Sequence, residues 1–297
     1  MDEMNPSATK PAPQNVESQS PAPQNSVPVL RTSLRVAGIQ MVSAATVAPN
    51  LASAANLIAR AAGEGAEFIA LPEYFCILGR KDTDKVEVRE PDGDGPIQAF
   101  LAETAQRHSV WLLGGTLPLV SAKRVKVMNT SALYGPDGRR VARYDKIHLF
   151  GLDRAGERFD ESNTIEAGRT PVVADIEGIR LGLTVCYDLR FPELYRALAP
   201  VDLILVPSAF TYATGQVHWE TLLRARAIEN QCYVLAPAQG GVHENGRRTW
   251  GHTLLIDPWG ETVAVLAEGE GIVAGTISRE RITEVRKMLP ALTHRVL

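Results

Sequence analysis

From Arg31 onward the chain alternates between short apolar runs and segments whose apolar residues recur every three or four positions. Val36–Val42, Phe68–Pro72, Val110–Gly115, Thr130–Tyr134, Leu181–Val185, Asp202–Pro207 and Cys232–Ala236 read as strands, rich in β-branched and aliphatic residues and bounded by Gly or Pro. Thr253–Asp257 and Thr262–Val265 flank the turn residues Pro258-Trp259-Gly260 and read as a hairpin. Between the strands, Leu51, Ala54, Ala55, Ile58, Ala61 and Ala62 follow a helical template, with Asn50 as the expected cap and Gly63 and Gly65 as the stop. Phe191-Pro192-Glu193-Leu194 reads as a helix start, and His218 to about Asn230 as a further helix. Near-continuous apolar strands with intervening helices predict an α/β layered fold whose sheets are buried.

No segment after residue 30 has linker composition, so residues 31–297 are expected to form a single domain. The first thirty residues are different. Pro, Ser, Gln and Asn dominate, and Pro11-Ala12-Pro13-Gln14-Asn15 returns as Pro21-Ala22-Pro23-Gln24-Asn25. Such a segment buries too little apolar surface to offset its ordering entropy, so residues 1–30 are expected to be a disordered tail. It lacks the basic and apolar regions of a secretory signal, and its single Lys, with no Arg before Arg31, argues against a transit peptide.

Composition removes several function classes. Lys and Arg number 31 against 34 Asp and Glu, a net charge of −3, so there is no basic excess to neutralise phosphates and nucleic acid is not an expected partner. No apolar run reaches the ~20 residues that span a bilayer. Three cysteines without close spacing fit a reducing compartment, expected to be the cytoplasm, rather than a disulfide framework. Six scattered histidines show no pair at ligand spacing, so no metal site is expected. The G-x-S-x-G, H-E-x-x-H, C-x-x-C and phosphate-loop signatures are missing.

What remains is a cysteine in a suggestive place. Cys186 ends an apolar strand five residues before a helix start. A cysteine on such a turn projects from the carboxyl edge of a sheet, where open α/β folds bind ligands. A buried, inert thiol is the competing reading. A thiol nucleophile needs a base and a group to hold the oxyanion. Glu73 follows Leu71-Pro72 at the end of a buried strand, and Lys146 lies among apolar and aromatic residues in Tyr144-Asp145-Lys146-Ile147-His148-Leu149-Phe150. Taken singly, either could equally be a surface residue.

Together and in this order, Leu71-Pro72-Glu73, Tyr144–Leu149 and Cys186-Tyr187-Asp188-Leu189-Arg190-Phe191-Pro192-Glu193 resemble the nitrilase superfamily of carbon–nitrogen hydrolases. The resemblance continues through Pro207–Phe210, His218-Trp219-Glu220, Arg224–Asn230 and Gly251-His252-Thr253. It implies an α-β-β-α sandwich carrying a Glu73–Lys146–Cys186 triad, with Glu161 as a supporting carboxylate that orients Lys146 and the leaving nitrogen or acts structurally. It implies attack by Cys186 on an amide carbonyl, a thioester intermediate, an oxyanion held by Lys146 and the backbone N–H of Tyr187, and no metal or cofactor. Its members usually dimerise, so a homo-oligomer is expected, with Trp219, Leu222 and Leu223 or their neighbours as a candidate face.

The residues beside the nucleophile differ from the Trp-Glu of nitrilases and the Asn-Asp-Arg-Arg of carbamoyl-amide hydrolases, and resemble an amidase branch acting on amides of 2-oxo acids. The substrates this implies are deaminated glutathione first and 2-oxoglutaramate second. Against both stands an interaction protein that keeps the fold without activity, which the three occupied triad positions disfavour. Arg190 is the expected partner of a substrate carboxylate, with a salt bridge to Asp188 or Glu193 as its alternative. Phe210 is expected as a pocket wall and Thr214 as a hydrogen-bond donor. Cys232 is expected in the core and Cys76 either there or lining the site; His148 and His252 are expected to satisfy local partners.

Overall fold

A computed structural model describes residues 31–154 and 157–296. The expected tail, residues 1–30, lies outside the described residues. Two mixed sheets face one another. In the first, strands Gly271–Ser278, Ser33–Gln40, Phe68–Ala70, Trp111–Leu113, Val127–Tyr134 and Leu117–Val120 lie side by side in that order, and Arg140–Asp145 and Ile165–Glu166 also pair with Val127–Tyr134. In the second the order is Val172–Ile176, Ile179–Leu183, Leu203–Leu205, Tyr233–Ala236, Thr253–Ile256 and Thr262–Leu266. Each row runs antiparallel, parallel, parallel, antiparallel, antiparallel, so the two sheets repeat one pairing pattern.

The parallel strands at the centre are buried on both faces, which is why they read as unbroken apolar runs. Helices Val47–Gly63 and Pro96–His108 cover the outer face of the first sheet, burying Ala54, Leu57, Ile58, Ile97 and Leu101. Helices Pro192–Leu198 and Tyr212–Asn230 cover the second, through Leu194, Tyr195, Trp219, Leu223 and Ala227. The layers are therefore helix, sheet, sheet, helix, the expected α-β-β-α sandwich. No helix among the described residues is long and apolar enough to cross a membrane.

Two expectations about helix ends change. Asn50 does not cap the first helix, which starts at Val47 after Thr46. Its buried side chain instead accepts from Ala44 N and donates to the carbonyls of Ala44, Thr46 and Cys76, tying the helix to the loop beyond Glu73. The helix expected from His218 starts at Tyr212, so Thr214 and Gly215 lie in its first turns. Trp219 and Leu223 on that helix are completely buried in the chain's own core and present no face to a partner.

One glycine joins fold to site. Gly115, in the loop after Trp111–Leu113, has φ +48°, and a Cβ there would stand 2.0 Å from the carbonyl oxygen of Pro72, the residue before Glu73. Both the left-handed backbone and the contact demand glycine. Gly115→Ala is expected to lower stability by about 3 kcal/mol in urea unfolding; a change within experimental error would show that the Pro72 loop yields without cost.

Candidate active site

The turn that carries Cys186 is held from three directions. After Ile179–Leu183 the chain enters a single 3-10 turn, Cys186–Arg190, and Cys186 itself adopts φ +49°. A left-handed conformation is costly for a cysteine and persists only where the surroundings impose it. Cys186 N donates to Pro207 O at 3.0 Å, fixing the turn to the next strand's end. At its far end Arg226, on the buried face of the helix Tyr212–Asn230, donates twice to Leu189 O, at 3.1 and 2.8 Å. Inside, the fully buried Asp188 accepts four hydrogen bonds. Oδ2 takes them from Val185 N (2.9 Å) and Tyr144 Oη (2.7 Å); Oδ1 takes them from His148 N (3.0 Å) and His148 Nδ1 (2.7 Å). Tyr144 and His148 flank Lys146, so one carboxylate locks the cysteine turn to the lysine segment.

Lys146 and Glu73 are completely buried and Glu161 nearly so. Lys146 Nζ donates to Glu73 Oε1 at 2.8 Å and to Glu161 Oε2 and Oε1 at 2.7 and 3.0 Å. Glu161 also accepts from Tyr74 Oη and Phe150 N, both at 2.7 Å. Glu73 is held by Asn129 Nδ2 on Oε1 (3.0 Å) and by Ala209 N on Oε2 (3.0 Å), while its carbonyl accepts from Gln239 Nε2. A carboxylate offers about four acceptor positions. On Glu73 the donors fill both at Oε1 and one at Oε2, so the remaining position of Oε2 is left for the adjacent Cys186 thiol.

One cation between two buried carboxylates cannot compensate both equally. Burial, with the Glu161 charge adding to it, raises Glu73 above the ordinary carboxylate range despite Lys146. Burial acts on Glu161 too, but Lys146 and the Phe150 and Tyr74 donors overcome it and hold Glu161 below that range. Burial opposes the Lys146 charge, yet Glu161 and Glu73 raise it well above an ordinary lysine. Burial and the Glu73 charge push the Cys186 thiol well above its usual value. The arrangement is thus a protonated thiol beside a carboxylate of raised basicity, an ammonium fixed as a cation, and a second carboxylate that keeps its charge. When two carboxylates are driven apart in this way, the raised one suits proton transfer and the lowered one electrostatic support.

A cleft opens over Cys186, lined by Phe150, Tyr187, Arg190, Phe210 and Thr214 among others, which brings the expected substrate-facing residues together. The Tyr187 N–H lies at the N-terminus of the 3-10 turn, where backbone donors lack intrahelical acceptors. Arg190 pairs with neither Asp188, whose oxygens are taken, nor Glu193. It stands 5.7 and 5.3 Å from the ring centres of Tyr187 and Phe210, with Nη1 3.3 Å from His218 Nδ1. Phe210 lines the cleft and also packs on Trp219, ring centres 4.9 Å apart. Thr214 Oγ1 is 2.7 Å from Thr211 Oγ1. Cys76 lines nothing: it is completely buried in the core beneath the first sheet, and burial raises its thiol far above the usual range. Cys232 is buried as expected, its thiol pushed up to about 12 by burial. His148 serves Asp188, and His252 Nδ1 lies 2.9 Å from Trp250 O. Among the described residues no group of three or more His, Cys, Asp or Glu is arranged to hold a metal ion.

Sequence reasoning passed over Asn129 and Tyr74, and read Asp188 only as an alternative partner of Arg190. Each is a polar residue in or beside an apolar run, the only signal available, and each finds its partner far along the chain.

Residues 35–287 match the carbon–nitrogen hydrolase family. A deaminated glutathione amidase of Synechocystis sp. is 43% identical over 88% of this chain and 97% of its own length. The human omega-amidase NIT2 is 36% identical over 87% of this chain and 94% of its own. Among solved structures, Nit3 of Saccharomyces cerevisiae, a member of branch 10 of the nitrilase superfamily, superposes with a TM-score of 0.82 at 30% identity, over 90% of this chain and 98% of that one.

Two predictions come from the hydrogen bonding. Asn129→Ala removes a donor from ionised Glu73, so the carboxyl becomes harder to ionise and the acid limb of kcat/KM moves up by about one pH unit; an unmoved limb would exclude Glu73 as its source. In Asp188→Asn either amide orientation turns N–H groups toward a backbone donor, Val185 N or His148 N. The expected result is a loss of about a hundredfold in kcat with KM and far-UV circular dichroism little changed; retained kcat would show that Asp188 does not position the site.

Proposed function

The chain belongs to the carbon–nitrogen hydrolase family, and from that premise we propose that it is a thiol amidase using Glu73, Lys146 and Cys186, with deaminated glutathione as its substrate. The observation that carries the reading is the buried Lys146 ammonium joined at once to Glu73 and Glu161 beside the Cys186 thiol. Similarity to the cyanobacterial deaminated glutathione amidase, at 43% identity along nearly the whole of that protein, supports the substrate.

In the proposed cycle the Cys186 sulfur attacks the amide carbonyl as its proton passes to the open position of Glu73 Oε2. The carbonyl oxygen becomes an oxyanion, held by the backbone N–H of Tyr187 and by Lys146, whose positive charge lies beside it and one of whose N–H groups turns to it from Glu161. The C–N bond then breaks, Glu73 returns the proton to the departing amine, and a Cys186 thioester remains. Glu73 next takes a proton from water, whose oxygen attacks the thioester, and the acid leaves as the thiol is restored. Glu161 keeps its charge throughout, holding Lys146 protonated and facing the leaving nitrogen. From deaminated glutathione the products are 2-oxoglutarate and cysteinylglycine.

Within the cleft, Arg190 supplies a planar cation for the 2-oxo acid carboxylate, Thr214 a hydroxyl and Phe210 an apolar wall. The second reading is an omega-amidase acting on 2-oxoglutaramate, supported by the 36% identity to human omega-amidase. The two substrates share the acyl group and differ in the leaving amine. A reduced compartment such as the cytoplasm suits a thiol nucleophile, and all three cysteines are free. A homo-oligomer is supported by the exposed Val217 of the helix Tyr212–Asn230 and by Val263 and Val265 on an edge strand.

Acid release is to be followed with deaminated glutathione, 2-oxoglutaramate, N-carbamoyl-β-alanine and a simple nitrile. Deaminated glutathione is expected to give the highest kcat/KM, and Cys186→Ala to lower turnover at least about a thousandfold. Preference for the nitrile or the carbamoyl compound would overturn the amidase assignment, and undiminished turnover by Cys186→Ala would overturn the thioester.

A further inference from the structure

Two cations outside the triad converge on the side of the site where Glu161 stands. Lys85 lies half-buried with Nζ 5.2 Å from the centre of the Tyr74 ring, whose hydroxyl is the one that donates to Glu161. Arg247, also half-buried, lies 5.1 Å from the ring centre of Phe159. Phe159 is the end of a row of aromatic rings that starts in the cleft: Tyr187 to Phe150 at 5.2 Å, then Phe150 to Phe159 at 5.7 Å. The row therefore runs from the residue after the nucleophile to Arg247. Among the described residues neither cation forms an ion pair with a carboxylate. The one hydrogen bond described for Lys85 is a long one, to Thr164 Oγ1 at 3.5 Å.

That placement is unfavourable for the protein alone. Burial first, and the positive charges of Arg247 and Lys146 after it, hold the Lys85 ammonium below the ordinary lysine range, against the pull of Glu161 and Asp82. Two part-desolvated cations, one of which feels the charge of the other, gain from an anion that both can reach, where charge-assisted bonds are strongest. Arg190, lining the cleft around Cys186, is separate from this pair and is occupied by the acyl carboxylate in the proposed reaction.

We infer that Lys85 and Arg247 form a leaving-group subsite that receives the carboxylate of a peptidyl amine, so that the site takes amides whose departing amine carries a terminal carboxylate. The inference rests on the amidase reading above and deepens it. The leaving nitrogen is expected beside Glu161, and a dipeptide spans at most about 7 Å from its amino nitrogen. Lys85 stands on the Tyr74 ring whose hydroxyl is bonded to Glu161, on the side to which the leaving nitrogen is expected to point. Cysteinylglycine has such a carboxylate, whereas ammonia has none, so this pair would separate deaminated glutathione from 2-oxoglutaramate.

The test compares deaminated glutathione with its C-terminal glycinamide, which keeps every atom of the scissile region and loses only the charge. Both are assayed with the wild-type protein, Lys85→Met, Arg247→Met and the double variant. Wild type is expected to prefer the free carboxylate by about 10- to 100-fold in kcat/KM, chiefly through KM. Each single variant should reduce that preference and the double variant should bring it close to one, while turnover of the glycinamide shows that the variants are folded. A wild-type protein that hydrolyses both equally, or a preference that survives in the double variant, would overturn the subsite and leave the amidase reading standing. A wild-type protein that hydrolyses neither would overturn deaminated glutathione as the substrate and the subsite with it.

Discussion

The constraint on which the rest depends is a single ammonium, Lys146 Nζ, buried between two carboxylates. An isolated charge in a protein interior is expensive, and removing one partner of a buried pair typically costs about 3–5 kcal/mol because the other is left uncompensated. Here a one-to-two ratio leaves an excess negative charge, and the donors around it decide where that excess rests. Glu161 receives a phenol and a backbone N–H in addition to Lys146, whereas Glu73 receives an amide and a backbone N–H and faces the thiol. The difference divides the labour of two chemically identical side chains.

The fold supplies the partners by bringing distant strand ends together. Glu73 follows a central parallel strand of the first sheet, Cys186 follows Ile179–Leu183, the neighbour of the central strand Leu203–Leu205 in the second, and Lys146 follows the strand Arg140–Asp145. The junction carries strain: Cys186 and Tyr74, the residue after Glu73, both have left-handed backbones. Asp188 and Arg226 hold that strain in place, the first by tying the cysteine turn to Tyr144 and His148, the second by bonding Leu189 O. The turn that carries Cys186 is therefore tied down on both sides of the thiol.

Much of this was legible in the chain. Apolar runs stopped by Pro72 and by the Cys186 turn mark the strand ends, and the α-β-β-α layering agrees with the burial of both faces of Leu203–Leu205 and Tyr233–Ala236. Lys146 was readable only beside the other two motifs, since one lysine after a strand ordinarily points to solvent. Asn129, Tyr74 and Asp188 escaped because their roles lie in hydrogen bonds to residues 56, 87 and 44 positions away, and a local pattern carries no such information. Asn50 was mistaken for a cap because its residue type suits one, while its actual work is to bind loop carbonyls from inside the helix.

The central claim is the unequal protonation of the two carboxylates, and the most direct measurement is a carboxyl carbon NMR titration of the protein labelled with ¹³C in its glutamates. Glu73→Gln and Glu161→Gln variants assign the two resonances. The Glu73 carboxyl should titrate above the ordinary glutamate value of about 4.3 and the Glu161 carboxyl below it. Titration in the reverse order, or of both at the ordinary value, would contradict the account.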